Sequence, residues 1–338
     1  MPRTRLIYGC AGTEVSAEER AFFREAQPWG FILFARNVRD PGQVRSLVSA
    51  LRETVGDARA PVLIDQEGGR VARLKPPHWK SHPPAQRFGD LYRTAPDASR
   101  EAAYLNARSI AQELVALGID VDCVPVLDVP VEGADSIIGD RAFSRHPTVV
   151  IALGRAAIQG MLDGGVLPVM KHVPGHGRAN ADSHLALPRV ATPPTELRAT
   201  DFAPFRALND CPLAMTAHVV YEALDPENPA TTSATVIRDV IRGEVGFSGL
   251  LLSDDLSMNA LSGSLGERAR AALAAGCDIV IHCNGRQAEM EAVAGEAMPL
   301  DGEYLVRAEK ALSHLHAPAE FDSPAAEARL AELLGAIA

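Results

Sequence analysis

Eight short apolar runs, none alternating cleanly between polar and apolar residues, constrain this chain more than any other feature. They are Arg5–Gly9, Gly30–Phe34, Pro61–Ile64, Ile119–Val124, Val166–Met170, Pro212–Thr216, Gly249–Leu252 and Asp278–Ile281. A strand with one wet face alternates with period two, whereas a strand covered on both faces does not. Helical patterns lie between the runs. Asp40 is placed as an N-cap and Pro41 at N1, with Val44, Leu47, Val48 and Leu51 following at helical spacing. Helices expected over Ala98–Leu117, Val149–Leu162, Ser233–Glu244 and Leu265–Ala275 each stop at or near a glycine: Gly118, Gly164, Gly246 and Gly276. Eight doubly covered strands alternating with helices in 338 residues predict an α/β protein, a (β/α)8 TIM barrel, in preference to an open doubly wound sheet.

No linker, repeat or low-complexity tract divides the chain, so residues 1–338 are expected to form a single domain. The segment after about Pro299 reads as two amphipathic helices packed outside the barrel. Lys75–Pro96 and Asp128–Pro147 are expected to be long surface loops. Hydrophobic residues make up 47% and charged residues 22%, which excludes disordered, collagen-like and coiled-coil chains. The formal charge of −10 makes nucleic acid a poor partner. No apolar run nears the roughly 18–20 residues needed to cross a bilayer, so no membrane partner is expected. No obligatory protein partner is evident either. The N-terminal residues lack an apolar h-region, and no secretory signal is expected. Cys10, Cys123, Cys211, Cys277 and Cys283 are odd in number, scattered and without a CxxC spacing, which suggests free thiols in a reducing, cytoplasmic setting.

In such a barrel the chemistry collects where strands end. Asp65-Gln66-Glu67-Gly68-Gly69-Arg70 follows the third run, Lys171-His172-Val173-Pro174-Gly175-His176-Gly177 the fifth, Ala217-His218 the sixth and Ser253-Asp254-Asp255 the seventh. Four strands therefore bring ionisable groups to one rim. Asp254, nearer its strand, is placed to act as a nucleophile or charge stabiliser in glycosyl transfer. Asp255 is expected to cap a helix starting at Leu256 or to support its neighbour. Lys171 and His172 are hydrogen-bond donors at a strand end, with ion pairs to Asp65 or Asp128 as the plainer alternative.

The following loop carries Asp182 and His184, two residues apart. A carboxylate bonded to an imidazole raises its pKa and fixes its orientation, as a general acid/base requires. His172, His176, Asp182, His184 and His218 are also candidate metal ligands, which keeps a TIM-barrel metallohydrolase open as an alternative. Against it, the HxH expected at an early strand is replaced by Tyr8-Gly9-Cys10, and Pro174 and Gly175 forbid a helix that would align His172 with His176. A non-catalytic sugar-binding protein is a third reading.

Ile64-Asp65-Gln66-Glu67-Gly68-Gly69-Arg70-Val71, Lys171-His172-Val173-Pro174-Gly175-His176-Gly177, Asp182-Ser183-His184 and Ser253-Asp254-Asp255-Leu256-Ser257-Met258 together resemble the single-domain bacterial β-N-acetylhexosaminidases of glycoside hydrolase family 3. Members of that group act in cell-wall recycling. The motifs keep their order from about Ile7 to Asp278. The resemblance implies a (β/α)8 barrel, Asp254 as nucleophile, and His184 as acid/base with Asp182 as its partner. It implies Asp65, Arg73, Arg141, Lys171 and His172 as sugar-binding residues, with no metal or other cofactor. The substrate it implies is a muropeptide ending in N-acetylglucosamine, and some hexosaminidases use the acetamido oxygen of such a sugar as nucleophile beside an acidic pair, a second route for Asp254-Asp255. Val173 stands where the family usually has Phe, and Ala142 where Ser is common. The additional C-terminal sandwich domain of larger members, which supplies their acid/base, has no counterpart in this sequence.

Overall fold

The computed structural model describes residues 2–179, 181–183 and 186–335. Eight parallel strands close into a barrel: β1 (Thr4–Gly9), β2 (Pro28–Leu33), β3 (Val62–Ile64), β4 (Val121–Asp122), β5 (Leu167–Val173), β6 (Leu213–Thr216), β7 (Leu250–Asp255) and β8 (Ile279–His282). Each strand pairs with its neighbour in sequence, and β8 pairs with β1 through Leu6↔Val280, Ile7↔Ile281 and Tyr8↔His282. The (β/α)8 TIM barrel expected from the apolar runs is the fold of the chain, and each run overlaps one barrel strand.

The failure to alternate has a direct cause. Ile7, Ile32, Leu63, Val121, Val169, Leu213, Leu252 and Ile281 form one buried cluster that fills the barrel. Residues of the opposite parity, including Leu6, Tyr8, Phe31, Val62, Ile64, Met170, Ala214, Leu251 and Val280, join the buried faces of the helices in a larger cluster. Both faces are therefore apolar. Complete burial of each Leu or Ile contributes roughly 1.5–3 kcal/mol, so polar residues are selected against on either side.

Local signals set the helix ends. Asp40 accepts the backbone N–H of Gln43 at 2.9 Å and starts helix Pro41–Val55, which ends at Gly56 in the left-handed region. Ser264 and Glu267 form a capping box at helix Leu265–Ala275, which stops at Gly276. The expected Ser233 start is met in part: its Oγ accepts the N–H of Val236 at 3.0 Å, but Val236–Glu244 is wound as a π-helix rather than an α-helix.

Three expectations are corrected. Lys75–Pro96 is not all loop, because Ala85–Tyr92 forms a helix that buries Phe88 and Leu91. Asp128–Pro147 is mostly irregular but not superficial, with Asp128, Val129, Ile138, Ala142 and Phe143 buried. No helix starts at Leu256. Asp255 ends β7, and the next helix begins at Leu265.

Helices Gly302–Leu312 and Ser323–Gly335 follow the last barrel strand. The first is tied beneath the barrel by Asp278, which bonds Arg307 at 2.8 and 3.0 Å and Arg242 at 2.7 Å. Among the described residues no helix is long and apolar enough to cross a membrane. All five cysteines are free and buried.

Candidate active site

Inward-facing parity continues past the apolar part of three strands and delivers charge to the rim. Leu63 is followed two residues later by Asp65, Val169 by Lys171, and Leu252 by Asp254. A register shift between Lys171 and Val173 brings His172 to the same rim. There a cavity of about 230 Å³ is lined by Asp65, Glu67, Arg70, Arg73, Arg141, Lys171, His172, His176, Ser183 and Asp254, with Ile32, Met215 and Ile281 among its apolar walls. It is smaller than the roughly 300–1,000 Å³ of drug-sized ligand sites, which suits one ring rather than a chain.

The charged groups form an ordered network. Lys171 Nζ donates to Asp65 Oδ1 at 2.8 Å and lies 2.7 Å from Glu67 Oε1. Arg141 grips Glu67 with both arms, Nε to Oε2 and Nη2 to Oε1, each at 2.8 Å. Arg73 Nη2 donates to Asp65 Oδ2 at 3.0 Å, while its Nε is buried with no partner among the described residues. Burial would raise the pKa of Asp65 and Glu67, but Lys171 together with Arg73 or Arg141 outweighs it and holds both below the usual carboxylate range. Burial likewise opposes the charge on Lys171, and Asp65 and Glu67 overcome it and raise its pKa.

His172 is oriented from behind. Its Nδ1–H donates to Asp128 Oδ2 at 2.7 Å, which leaves Nε2 as the edge facing the cavity. The other Asp128 oxygen accepts the backbone N–H of His172 at 3.2 Å and of His176 at 2.6 Å. His176 is buried near His172, and both effects push its pKa down to about 4. It is therefore neutral at pH 7, with Nε2 3.2 Å from Ser183 Oγ.

Asp254 and Asp255 have separate jobs. Asp255 is fully engaged: Oδ1 accepts the N–H groups of Ser257 and Cys283 at 3.0 and 3.1 Å, and Oδ2 accepts the Ser257 hydroxyl at 2.5 Å. It caps a tight turn rather than the helix expected from sequence. Asp254 Oδ1 accepts the Asp255 N–H at 2.8 Å, and Oδ2 has no protein donor among the described residues. Burial pushes the Asp254 pKa up, but His218, His172, the Asp255 N–H and Lys171 pull it below its ordinary value. At neutral pH Asp254 presents a carboxylate to the cavity.

The structure thus brings Asp65, Arg73, Arg141, Lys171, His172 and Asp254 together. Both ion pairs offered as the plainer reading, Lys171–Asp65 and His172–Asp128, also form, and they form inside the cavity wall. Asp182 is partly exposed, does not line the cavity, and accepts the Ala186 N–H on its carbonyl at 2.9 Å. His184 lies outside the described residues, whereas Ser183 beside it in sequence reaches the wall. Sequence reasoning passed over Glu67 and Arg70 as site residues. Their signal was present, since both belong to the same strand-end motif as Asp65.

The metal-ligand reading loses support from His218. Its Nε2 donates to the Asp255 carbonyl at 2.9 Å and its Nδ1 accepts from Thr231 at 2.7 Å, so neither nitrogen is available. Among the described residues no three His, Cys, Asp or Glu side chains are disposed to hold a metal ion.

Comparison with known proteins agrees with this geometry. Residues 6–304 match the model of the glycosyl hydrolase family 3 N terminal domain. A beta-hexosaminidase of Alkalilimnicola ehrlichii is 42% identical over 289 residues, covering 84% of this chain and 81% of its own. One from Tolumonas auensis is 41% identical over 304 residues, covering 88% and 86%. The crystal structure of NagZ from Neisseria gonorrhoeae in complex with N-trifluoroacetyl-D-glucosamine superposes with a TM-score of 0.88 at 32% identity, covering 99% of both chains. With an ionised strand-end carboxylate facing a one-ring cavity on a barrel of this kind, the chain is a glycoside hydrolase and belongs to glycosyl hydrolase family 3, alongside the beta-hexosaminidases.

Proposed function

We propose that this protein is a retaining exo-β-N-acetylglucosaminidase that removes terminal β-linked N-acetylglucosamine from peptidoglycan-derived muropeptides in the cytoplasm, with residues 1–338 acting as one catalytic unit. The observation that carries this reading is Asp254. Its Oδ2 faces a small cavity in which Asp65, Glu67, Lys171, Arg73 and Arg141 are committed to one another. A terminal sugar would take hydrogen bonds from Lys171, Arg73, Arg141 and His172, and Asp65 would accept from its hydroxyls.

In the first step Asp254 attacks the anomeric carbon. The glycosidic C–O bond breaks, and protonated His184 gives its proton to the departing oxygen. A glycosyl ester on Asp254 results. Neutral His184 then takes a proton from water, whose oxygen attacks the anomeric carbon. The ester C–O bond breaks, Asp254 is restored and the sugar leaves with its configuration kept. Asp182 stabilises the imidazolium. A histidine in this role spares a site rich in carboxylates a further negative charge.

Initial rates on an aryl β-N-acetylglucosaminide and the matching β-glucoside, measured side by side, test the substrate class. Trapping with a 2-fluoro sugar followed by peptide mapping tests the route. The label is expected on Asp254. A label elsewhere, or an Asp254→Ala variant with near wild-type turnover, would show the assignment wrong.

A further inference from the structure

Four charges of the cavity wall, Asp65, Glu67, Arg70 and Arg73, come from the single stretch 65–73 that follows β3. No helix or strand spans it. Its middle is pinched by a bridge between Gly68 and Val71, and Gly68 and Gly69 both take left-handed backbone to make the turn. Irregular chain holds charges at fixed spacing only where something ties its two ends together.

Gln66 is that tie. Its side chain is 1% exposed and crosses from one end of the stretch to the other. Oε1 accepts the backbone N–H of Arg73 at 2.8 Å and of Leu74 at 3.0 Å, and Nε2 donates to the Leu74 carbonyl at 3.0 Å. Two donors and one acceptor are thus met by an amide, a pattern that neither a carboxylate nor a thioether of similar length can supply in full. The backbone N–H of Gln66 is held in turn by Asp122 Oδ1 on β4 at 2.9 Å. The path therefore runs from the barrel through Gln66 to the main chain of Arg73. The other end of Arg73 is fixed separately, by Nη2 on Asp65 Oδ2 at 3.0 Å. Gln66 does not line the cavity, although the residues on either side of it do.

We infer that Gln66 is a positioning residue for the glycosidase reaction, one that touches no substrate and sets the place of Arg73 against Asp65 so that the two meet the sugar together. This rests on the reading of Asp65 and Arg73 as sugar-binding residues and adds the side chain on which their spacing depends.

The test uses the full chain and an aryl β-N-acetylglucosaminide. Gln66→Met keeps the length of the side chain and removes all three of its bonds. KM is expected to rise by about ten- to 30-fold while kcat falls by less than about threefold, since displaced sugar contacts weaken ground and transition states alike. Arg73→Met and the double variant complete a cycle. If Gln66 acts through Arg73, Gln66→Met should lower kcat/KM by no more than about twofold once Arg73 is gone, whereas a merely structural role predicts the same loss in both backgrounds. Should Gln66→Met fail to fold, Gln66→Glu takes its place in the cycle. It keeps an acceptor for both N–H groups and loses only the donor to the Leu74 carbonyl, so its KM should rise by about three- to fivefold. A KM unchanged by the Gln66 variant, a loss confined to kcat, or equal losses in the two backgrounds would each overturn the inference. Wild-type KM in Arg73→Met would overturn the reading of Arg73 as a sugar ligand, and this inference with it. Failure of the wild type to turn over the aryl substrate would overturn the glycosidase reading itself.

Discussion

Asp128 holds His172 twice, accepting its ring Nδ1–H on one carboxylate oxygen at 2.7 Å and its backbone N–H on the other at 3.2 Å. One buried carboxylate thus sets both the path of the chain and the tautomer of the imidazole. Burial would raise the Asp128 pKa, yet His172 and the His176 N–H keep it low. Asp128→Asn keeps the shape but removes the charge and leaves an amide facing donors. It is expected to lower kcat/KM on an aryl N-acetylglucosaminide by about 100-fold and stability by about 3 kcal/mol, the cost of breaking a buried pair. Initial rates and urea unfolding measure the two effects separately.

Glu67 should behave as a positioning residue for two cations. Glu67→Gln leaves Lys171 with Asp65, whereas Arg141 loses its charged partner and one of its two bonds there, and keeps one amide oxygen at position 67 and the Ile137 carbonyl at 3.1 Å. If Lys171 and Arg141 hold the sugar, KM should rise by about ten- to 100-fold with a smaller change in kcat, because the lost contacts bind ground and transition states alike. An equal fall in kcat at constant KM would contradict this division.

Asp122 gives a pH signature of opposite sign to the site carboxylates. It is wholly buried, Oδ1 accepts the Gln66 N–H at 2.9 Å, and Oδ2 has no partner among the described residues. Burial pushes its pKa up to about 8; the Gln66 N–H and Lys171 pull down while Asp65 and Glu67 push up. Between its ordinary value of 3.8 and about 8 the folded chain keeps the proton and the unfolded chain releases it, so this group's contribution to stability falls as pH rises through that window. Asp122→Asn removes that linkage. The variant should match wild type near pH 4 and exceed it increasingly toward pH 8. Thermal midpoints across that range check it, and a difference independent of pH would refute the neutral buried acid.

The sequence carried the strands almost completely because double burial leaves a signature that needs no partner: runs such as Pro61–Ile64 are apolar on both parities. It carried the rim equally well, since the residues two beyond Leu63, Val169 and Leu252 inherit their inward direction from strand geometry alone. What it could not carry depends on contacts between distant segments. Asp128 is legible as an ion-pair partner of the Lys171-His172 pair, but that it also takes the backbone N–H groups of His172 and His176 emerges only when β5 places them beside it. Ser264 and Glu267 announce a helix through a local box, but nothing local marks Ala85–Tyr92, which packs on helix Pro96–Val115 and, at Gly89, on the Phe143 carbonyl. Asp255 misled for a related reason. An acid before an apolar residue resembles a helix cap, and here its oxygens are taken instead by the N–H and hydroxyl of Ser257 in a local turn and by the distant Cys283 N–H.

Gly89 tests how far that packing governs the site. It lies in helix Ala85–Tyr92, and a Cβ built there would sit 1.6 Å from the Phe143 carbonyl oxygen, a contact no rotamer change relieves. Either the helix or the 139–143 segment must move. That segment carries Arg141, two residues before Phe143, at the cavity wall. Gly89→Ala is therefore expected to destabilise the fold by about 3 kcal/mol, the upper end for overpacking. It should also raise KM several-fold, through a displaced Arg141 that cannot meet Glu67 and substrate together. Gly12→Ala, with open space around its Cβ, is the matched control and should change neither quantity. Unfolding curves and Michaelis plots for the two variants decide it: a destabilised Gly89→Ala with unaltered KM would mean that the helix yields and Arg141 stays in place.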